Sequence, residues 1–516
     1  MIPILTARQM RLCDDAETEK VPAHVLMDRA AQALFQTLRT HPALREKSRT
    51  LILCGSGNNG GDGFALANLL PTATTVVVYV GEMTADGQPD TGKMSPECAR
   101  RYANALANGL RVQVTLPEDT TDTVIVDAVF GIGLSRPITG RCASLLSKAA
   151  ARGCPVLAAD IPSGLHADSG AVLGTVLPAT VTLAIGYPKR GEVLFPGAAY
   201  AGEVCTADIC IGTGALPTPA TAHLLERTDL FPLLPPRPRR ANKGSFGRVL
   251  LAVGSPLMSG AAYLSAFAAY LSGAGLVEIL TPACNRTILA TALPEAIITT
   301  YPENQPDPQI IKNALSRADA VVIGCGIGTD EAAEQLLRFL LGQVHVPLVL
   351  DADALNLLAK NPALFAAVVP EQRAQTVLTP HPGESARLLS RSVSEVLADI
   401  PQSARDCAAA FQAVVIQKDA HTALAAPDGT VRLCPYGNSG MATGGTGDVL
   451  AGLVGGLLAQ HAALGTGVSV FDSAACAVLV HAIAGDLAES ARGGRSLLAR
   501  DVCDGIADIL RKADIR

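Results

Sequence analysis

Short unbroken apolar runs recur along the chain, and helix-like stretches fill the intervals between them. Before a Pro-rich segment the runs are TLILCG, TTVVVYVG, TVIVDAVFG, CPVLAAD and TVTLAIG; after it they are RVLLAVG, GLVEILTP, DAVVIGCG, PLVLDADAL and AVVIQK. A strand with one wet face alternates apolar and polar residues, whereas runs without alternation mark strands buried on both faces. The pattern therefore predicts parallel sheets with helices packed on each side. In such sheets ligands bind beyond the carboxyl ends of the strands. The residues that follow each run are the candidates for chemistry.

The Pro-rich stretch at residues 213–243 divides the pattern in two and carries Arg237, Arg239 and Arg240. It reads as a connection plus the entry to a second domain, placing one domain at residues 1–215 and another at residues 225–516. A length of 516 residues, 49% apolar and 17% charged, supports cores of that size and excludes a disordered chain. Residues 249–277 hold no charge, long enough to span a bilayer, but Gly254, Ser255, Pro256, Ser259, Gly260, Ser272, Gly273 and Gly275 break them up. They read instead as strand, turn and buried Ala-rich helix, with no membrane span.

Composition narrows the partners. A net charge of −6, no Trp and 4% aromatics argue against nucleic-acid binding. The 13 cysteines include no CxxC pair, and most lie in apolar runs such as those of Cys54, Cys154 and Cys476. They read as reduced thiols. The first residues lack the apolar stretch of a signal peptide, so a cytoplasmic location is expected.

Three loops of the first half carry polar chemistry. After the run at 51–54 comes Gly55-Ser56-Gly57-Asn58-Asn59-Gly60-Gly61-Asp62-Gly63, with five glycines in nine residues, and then the helix-like FALANLL. Glycines admit close approach of a ligand, and a following helix start offers free N–H groups to phosphate. Asn oxygens suit a hard cation. The other two loops begin at Asp127, running through Phe130 to Pro137, and at Asp160, running through Ser163. Each Asp could cap a helix instead, but three such loops on one sheet would converge on one crevice.

GSGNNGGDG, DAVFGIGLSRP, DIPSGL and GYPKRGEVLFPG together resemble the NAD(P)H-hydrate epimerase domain, over roughly residues 1–215. The resemblance implies a Rossmann-like three-layer α/β/α sandwich. It implies that Asn58, Asn59, Gly60, Gly61 and Asp62, with Gly131, Ile132, Gly133, Leu134, Ser135, Arg136 and Pro137, hold the hydrated dinucleotide. Asn59, Asp127 and Ser163 would bind a potassium ion, and Asp160 would contact the substrate. The segment Leu26–Ala31 looks like the family's LMERAG, with Asp28 for Glu and Ala31 for Gly. Epimerisation must move a proton on and off, so a carboxylate in reach is a suitable acid/base. Asp160 is the candidate catalytic residue. Lys189 is a second one, with a surface or phosphate-facing lysine as the alternative.

The second half centres on Asn438-Ser439-Gly440-Met441-Ala442-Thr443-Gly444-Gly445-Thr446-Gly447-Asp448, ahead of an apolar helix-like run. Amides at a helix start form an anion hole, and Asp448 in the first turn could take a proton from a hydroxyl or merely cap the helix. GTGD before a helix is a ribokinase-like signature. With NKGSFG, GCGIGT, DADALN, TPHPGE and KDAHT, it resembles the ADP-dependent NAD(P)H-hydrate dehydratase family over roughly residues 225–516. The implied fold is a ribokinase-like α/β/α domain. Ala261, Gly326 or Gly328, His381 and Asp448 would face the hydrated nicotinamide nucleotide. Lys418, Asp419, Ala420, His421, Thr422 and Gly447 would hold ADP, with magnesium. His481, in an apolar helix, reads as core. Asp419 stands where the family often has Gly, and Ser439 and Cys325 where it often has Pro.

The joint expectation is metabolite repair. One half would interconvert the R and S forms of NADH-hydrate and NADPH-hydrate; the other would dehydrate the S form at the expense of ADP, giving AMP and phosphate. The resemblance also implies a homo-oligomer, a tetramer or larger. Two rival readings remain open at this point: a small-molecule kinase, marked by a stable phosphorylated product, and a binding role for the first half.

Overall fold

The structure, a computed structural model, describes residues 1–216, 222–303 and 305–514. The chain separates into two units, Ile2–Thr221 and Ala222–Arg516. Part of the Pro-rich connection, residues 217–221, lies outside the described residues.

In the first unit the apolar runs become the middle of a parallel sheet. Its strands lie in the order Val112–Gln113, Thr75–Tyr79, Arg49–Cys54, Thr123–Ala128, Val156–Ala159, Val181–Ile185 and Glu203–Ala207. Every pairing is parallel. Strand alternation sends Leu51 and Leu53 to one face and Ile52 and Cys54 to the other. One face packs on Leu145, Leu146 and Ala149 of the helix Gly140–Ala150; the other packs on Leu34, Leu38, Phe64 and Leu66. That gives three layers. Both edge strands went unread: EVCTA and VQ lack an apolar run, because an edge strand is covered on fewer sides.

Arg49–Cys54 pairs with Thr75–Tyr79 on one side and Thr123–Ala128 on the other. The chain therefore winds away from this strand in two directions, which opens a crevice at its carboxyl end. The glycine-rich segment sits there but is not a loop. The helix starts at Asn58, six residues before the expected FALANLL. Packing overrides glycine's poor helix propensity: a Cβ on Gly60 would lie 2.0 Å from the Gly55 carbonyl oxygen, and one on Gly63 2.7 Å from Cys54 Sγ.

The strands of the second unit lie in the order Ala222–Leu224, Val431–Cys434, Thr422–Ala425, Val414–Gln417, Thr376–Leu378, Leu348–Leu350, Ala320–Ile323, Arg248–Ala252, Leu276–Pro282 and Ile297–Tyr301. The expectation of an all-parallel sheet is corrected here. Val414–Gln417, Thr422–Ala425 and Val431–Cys434 pair antiparallel. The connection Lys418–His421 is too short for a crossover and can only reverse the chain. The remaining pairs are parallel. Glu278 lies fully buried inside its strand because Arg317, at 2.7 Å, and Arg248, at 3.5 Å, neutralise it.

The uncharged stretch forms the strand Arg248–Ala252 and the helix Ser259–Leu271. That helix packs on Thr446–Leu464, and glycine sets how closely: a Cβ on Gly452 would lie 1.9 Å from the Ser265 carbonyl oxygen. Thr446–Leu464 and Val470–Arg492 are long and apolar enough to cross a membrane, but about two thirds or more of each apolar window is buried inside the protein. Among the described residues all 13 cysteines are free thiols, and eight are buried.

Candidate functional sites

The first unit holds a cavity of about 610 Å³ at the carboxyl end of its central strands. Asn58, Asn59, Asp62, Gly131, Ile132, Gly133, Leu134 and Asp160 line it. Gly60 and Gly61 lie buried behind it, and Ser135, Arg136 and Pro137 continue exposed beyond it. The helix Ala7–Thr18 adds Met10, Arg11 and Asp14, and the next helix adds Leu26 and Met27. Leu26 and Met27 belong to the segment that looks like the family's LMERAG, whereas no motif marks Met10, Arg11 or Asp14.

Asp127 and Ser163 form one buried cluster. The Ser163 hydroxyl and backbone N–H donate to the two carboxylate oxygens of Asp127 at 2.6 and 2.8 Å. Ser163 Oγ in turn accepts from the Phe130 N–H at 2.9 Å. Burial pushes the Asp127 carboxyl up to about 6, against these hydrogen bonds. Asn59 is buried, and neither its side-chain oxygen nor its nitrogen has a partner among the described residues. A buried unpaired amide costs free energy unless a ligand satisfies it. A free amide oxygen, a buried carboxylate and a hydroxyl are the donor types that fit a hard monovalent cation.

Asp160 closes the other side. It adopts φ +74°, a left-handed conformation uncommon for a residue with a side chain. The Lys189 ammonium, fully buried, pairs with its carboxylate, and the Ile185 N–H donates to it at 3.3 Å. Lys189 is thus neither a surface residue nor a free phosphate ligand. Its buried neighbour Glu192 is pushed up to about 8 by burial, partly offset by the Lys189 charge. A Cβ on Gly131 would lie 3.2 Å from Asp160 Oδ2 and 3.6 Å from Asn59 Cγ, so the two motifs meet across this glycine.

The second site is again built at strand ends. Asp351 follows Leu348–Leu350, Thr379 follows Thr376–Leu378, and Lys418 follows Val414–Gln417. Lys418 Nζ lies 2.9 Å from Asp351 and 3.8 Å from Glu384. The Thr379 hydroxyl donates to Asp351 at 2.6 Å and the Cys325 thiol at 3.7 Å. Burial opposes the charge on Lys418, but Asp351 and Glu384 outweigh it and raise its pKa. Sequence reading did not assign Asp351, Thr379 or Glu384 to the site. The strand-end positions of Asp351 and Thr379 were the available signal; Glu384 lies instead in the first turn of the helix Pro382–Leu389, within the TPHPGE motif.

Asp448 lies in the first turn of Thr446–Leu464, and its carboxylate, Asp351 and Cys325 Sγ come within 4.8 Å of one another. Burial first, and then the Asp351 charge, push Asp448 up to about 6. Gly447 belongs to the same turn: a Cβ there would lie 3.5 Å from Lys418 Nζ. Gly326 and Ala261 are also neighbours, 3.0 Å by the same construction. The Gly328 N–H donates to Asp353 at 2.9 Å. His381 is half-exposed and caps the helix Pro382–Leu389 through its Nδ1, 3.0 Å from the Gly383 N–H. Ala420 is exposed, Asp419 and His421 are partly covered, and Thr422 already starts the returning strand.

His481, read as core, is only partly buried, and its ring has a partner. Its Nε2 lies 3.0 Å from the Thr446 carbonyl oxygen at the start of the Asp448 helix. Burial lowers its pKa to about 4, so the ring is neutral.

The fold and the two strand-end sites define an α/β enzyme with two separate centres for nucleotide-like ligands. Comparison with known proteins specifies the class. A family described as "YjeF-related protein N-terminus" matches residues 23–191, and one described as "NAD(P)H-hydrate dehydratase" matches residues 249–507. The chain is 37% identical to a bifunctional NAD(P)H-hydrate repair enzyme from Coxiella burnetii, covering 96% of each chain. It is 32% identical to one from Escherichia coli, covering 92% of this chain and 87% of that one. Among solved structures, a Streptococcus mutans protein of unassigned activity matches with 28% identity and a TM-score of 0.50, over 56% of this chain and 99% of that one. The chain belongs to the bifunctional NAD(P)H-hydrate repair enzymes, with an epimerase unit followed by a dehydratase unit.

Proposed function

We propose that Asp160 is the acid/base of the epimerase unit and Asp448 that of the dehydratase unit. The observation that carries this reading is that each carboxylate meets a lysine-centred ion pair: Asp160 pairs with the buried Lys189 at the cavity, and Asp448 lies within 4.8 Å of Asp351, the partner of Lys418. In the first unit Asn58, Asn59, Asp62 and the segment Gly131–Leu134 would bind the hydrated dinucleotide, with Ser135–Pro137 at the cavity's outer edge. Gly60 and Gly61 would act by letting the helix seat close to the strand. Asn59, Asp127 and Ser163 would hold a potassium ion, which would supply a fixed positive charge beside the ligand's phosphates. The unpaired amide of Asn59 supports that assignment.

In the second unit ADP is the proposed phosphoryl donor, giving AMP. Lys418, Asp419, Ala420, His421, Thr422 and Gly447 would bind it, while Ala261, Gly326, Gly328 and His381 would border the hydrated nicotinamide. Asp448 takes the proton of the C6 hydroxyl as the phosphoryl group arrives, and the amides of Gly445 to Gly447 stabilise charge on that group. Phosphate then leaves with the C6–O electron pair, and loss of a C5 proton, whose C–H pair becomes the C5=C6 bond, restores the dihydronicotinamide. Magnesium bound with the nucleotide would neutralise phosphate charge; a thiol in the Cys325–Asp351–Asp448 cluster suits it poorly, so Asp351 and Asp448 are its candidate protein contacts. The free, mostly buried thiols support a cytoplasmic location.

Asp448→Asn tests the assignment. It removes dehydration in the presence of ADP and leaves epimerisation intact; dehydration within tenfold of the parent overturns the role. Light scattering of the purified chain tests the proposed homo-oligomer.

A further inference from the structure

The epimerase cavity is crowded with carboxyls. Asp14, Asp62, Glu97 and Asp160 all line it. Glu97 is bound by Arg100 and Arg101, and Asp160 by Lys189. Asp14 differs from both: among the described residues its carboxyl accepts no hydrogen bond and forms no ion pair, yet it faces the same space from the helix Ala7–Thr18. An epimerisation that opens and recloses a ring needs two proton-transfer groups, one for the hydroxyl and one for the ring nitrogen.

We propose that Asp14 is the second proton-transfer group of the epimerase unit, working opposite Asp160. The proposal rests on the reading of Asp160 as the base. The Asp160 carboxylate takes the proton of the C6 hydroxyl, and that O–H electron pair becomes the π bond of an aldehyde. The C6–N1 bond breaks, its electron pair stays on the nitrogen, and the Asp14 carboxyl supplies the proton that the nitrogen takes up. Rotation about C5–C6 presents the other face of the aldehyde. The reverse steps return both protons and leave the opposite epimer.

The surroundings of Asp14 suit a donor that must reload. Burial, and then the charge of Asp160, push its carboxyl up to about 7, with Lys189 pulling it down and Asp15 pushing it up. Arg11, Asp62, Glu97 and the more exposed Asp15 also face the cavity. Asp62 is also pushed well above the ordinary range, by burial first and then by the Asp160 and Asp14 charges.

The test uses the full chain without nucleotide, so that dehydration is idle. One purified epimer of NADH-hydrate is the substrate, chromatography follows the other, and the rate without protein is subtracted. Asp14→Asn is expected to lower kcat by about 100-fold or more with KM changed less than about threefold. The wild-type kcat/KM is expected to fall above about pH 7, where the acid loses its proton, and that limb is expected to be missing from the variant. A variant that keeps kcat within about threefold, or keeps the alkaline limb, overturns the proposal. If Asp14→Asn does not fold, Asp14→Glu decides: the limb moves if Asp14 is the acid and stays if it is not. No epimerisation by the wild type, or full activity of Asp160→Asn, overturns instead the reading on which the proposal rests.

Discussion

Lys418 holds its ammonium 2.9 Å from the Asp351 carboxylate and 3.8 Å from Glu384, at the ends of strands that meet beside the Asp448 helix. One cation balances two largely buried acids there. Removing it leaves uncompensated charge, which costs about 3–5 kcal/mol. Lys418→Ala is therefore expected to lower the denaturant midpoint of the second unit as well as abolish dehydration. Unchanged unfolding with lost activity would show that the lysine serves the nucleotide alone.

Asp448 sets a pH dependence for dehydration. Burial and the Asp351 charge raise its carboxyl to about 6, so it is protonated, and useless as a base, below that value. The kcat/KM for dehydration is expected to fall about tenfold per pH unit below pH 6. A profile flat down to pH 5 contradicts the base role.

His481 couples pH to stability. Its pKa is lowered from 6.5 to about 4, so the unfolded chain binds a proton that the folded chain refuses between these values. Stability is present above 6.5 and is lost as pH falls toward about 4, by roughly 2–3 kcal/mol from this one group. His481→Gln, whose amide can still donate to the Thr446 carbonyl, is expected to show a shallower loss over that range. Parallel pH-stability curves would assign the acid sensitivity elsewhere.

Asn59 reports on the proposed cation. Asn59→Ala removes the unpaired buried amide and is expected to raise the potassium concentration for half-maximal epimerisation by about tenfold or more. Titration with potassium at constant ionic strength reads this directly. Wild-type epimerisation that ignores potassium removes the site.

The apolar runs were enough to place most central strands of both units, because a strand buried on two faces leaves no polar position to blur the signal, but they missed the fully buried Thr376–Leu378, whose three residues are too short a run. They could not show Val112–Gln113 or Glu203–Ala207, whose residues are half-exposed, nor the hairpin at Lys418–His421, which lacks a glycine-based turn signature. The motifs led directly to Asn59, Asp127, Ser163 and Asp448. They did not lead to Asp14, which joins its site from a helix distant in the chain, and TPHPGE, which contains Glu384, gave that residue no role. His481 looked like core because its helix is apolar; its partial exposure and its bond to Thr446 exist only in three dimensions.

The central claim is that two carboxylate sites on one chain act in series. A mixture of both NADH-hydrate epimers, with magnesium, potassium and ADP, is followed at 340 nm. Complete recovery of NADH by the parent chain is predicted, with recovery by Asp160→Asn stopping near the share of one epimer. Recovery that stops at that share in the parent contradicts an active epimerase unit, and no recovery with ADP or ATP contradicts the dehydratase reading.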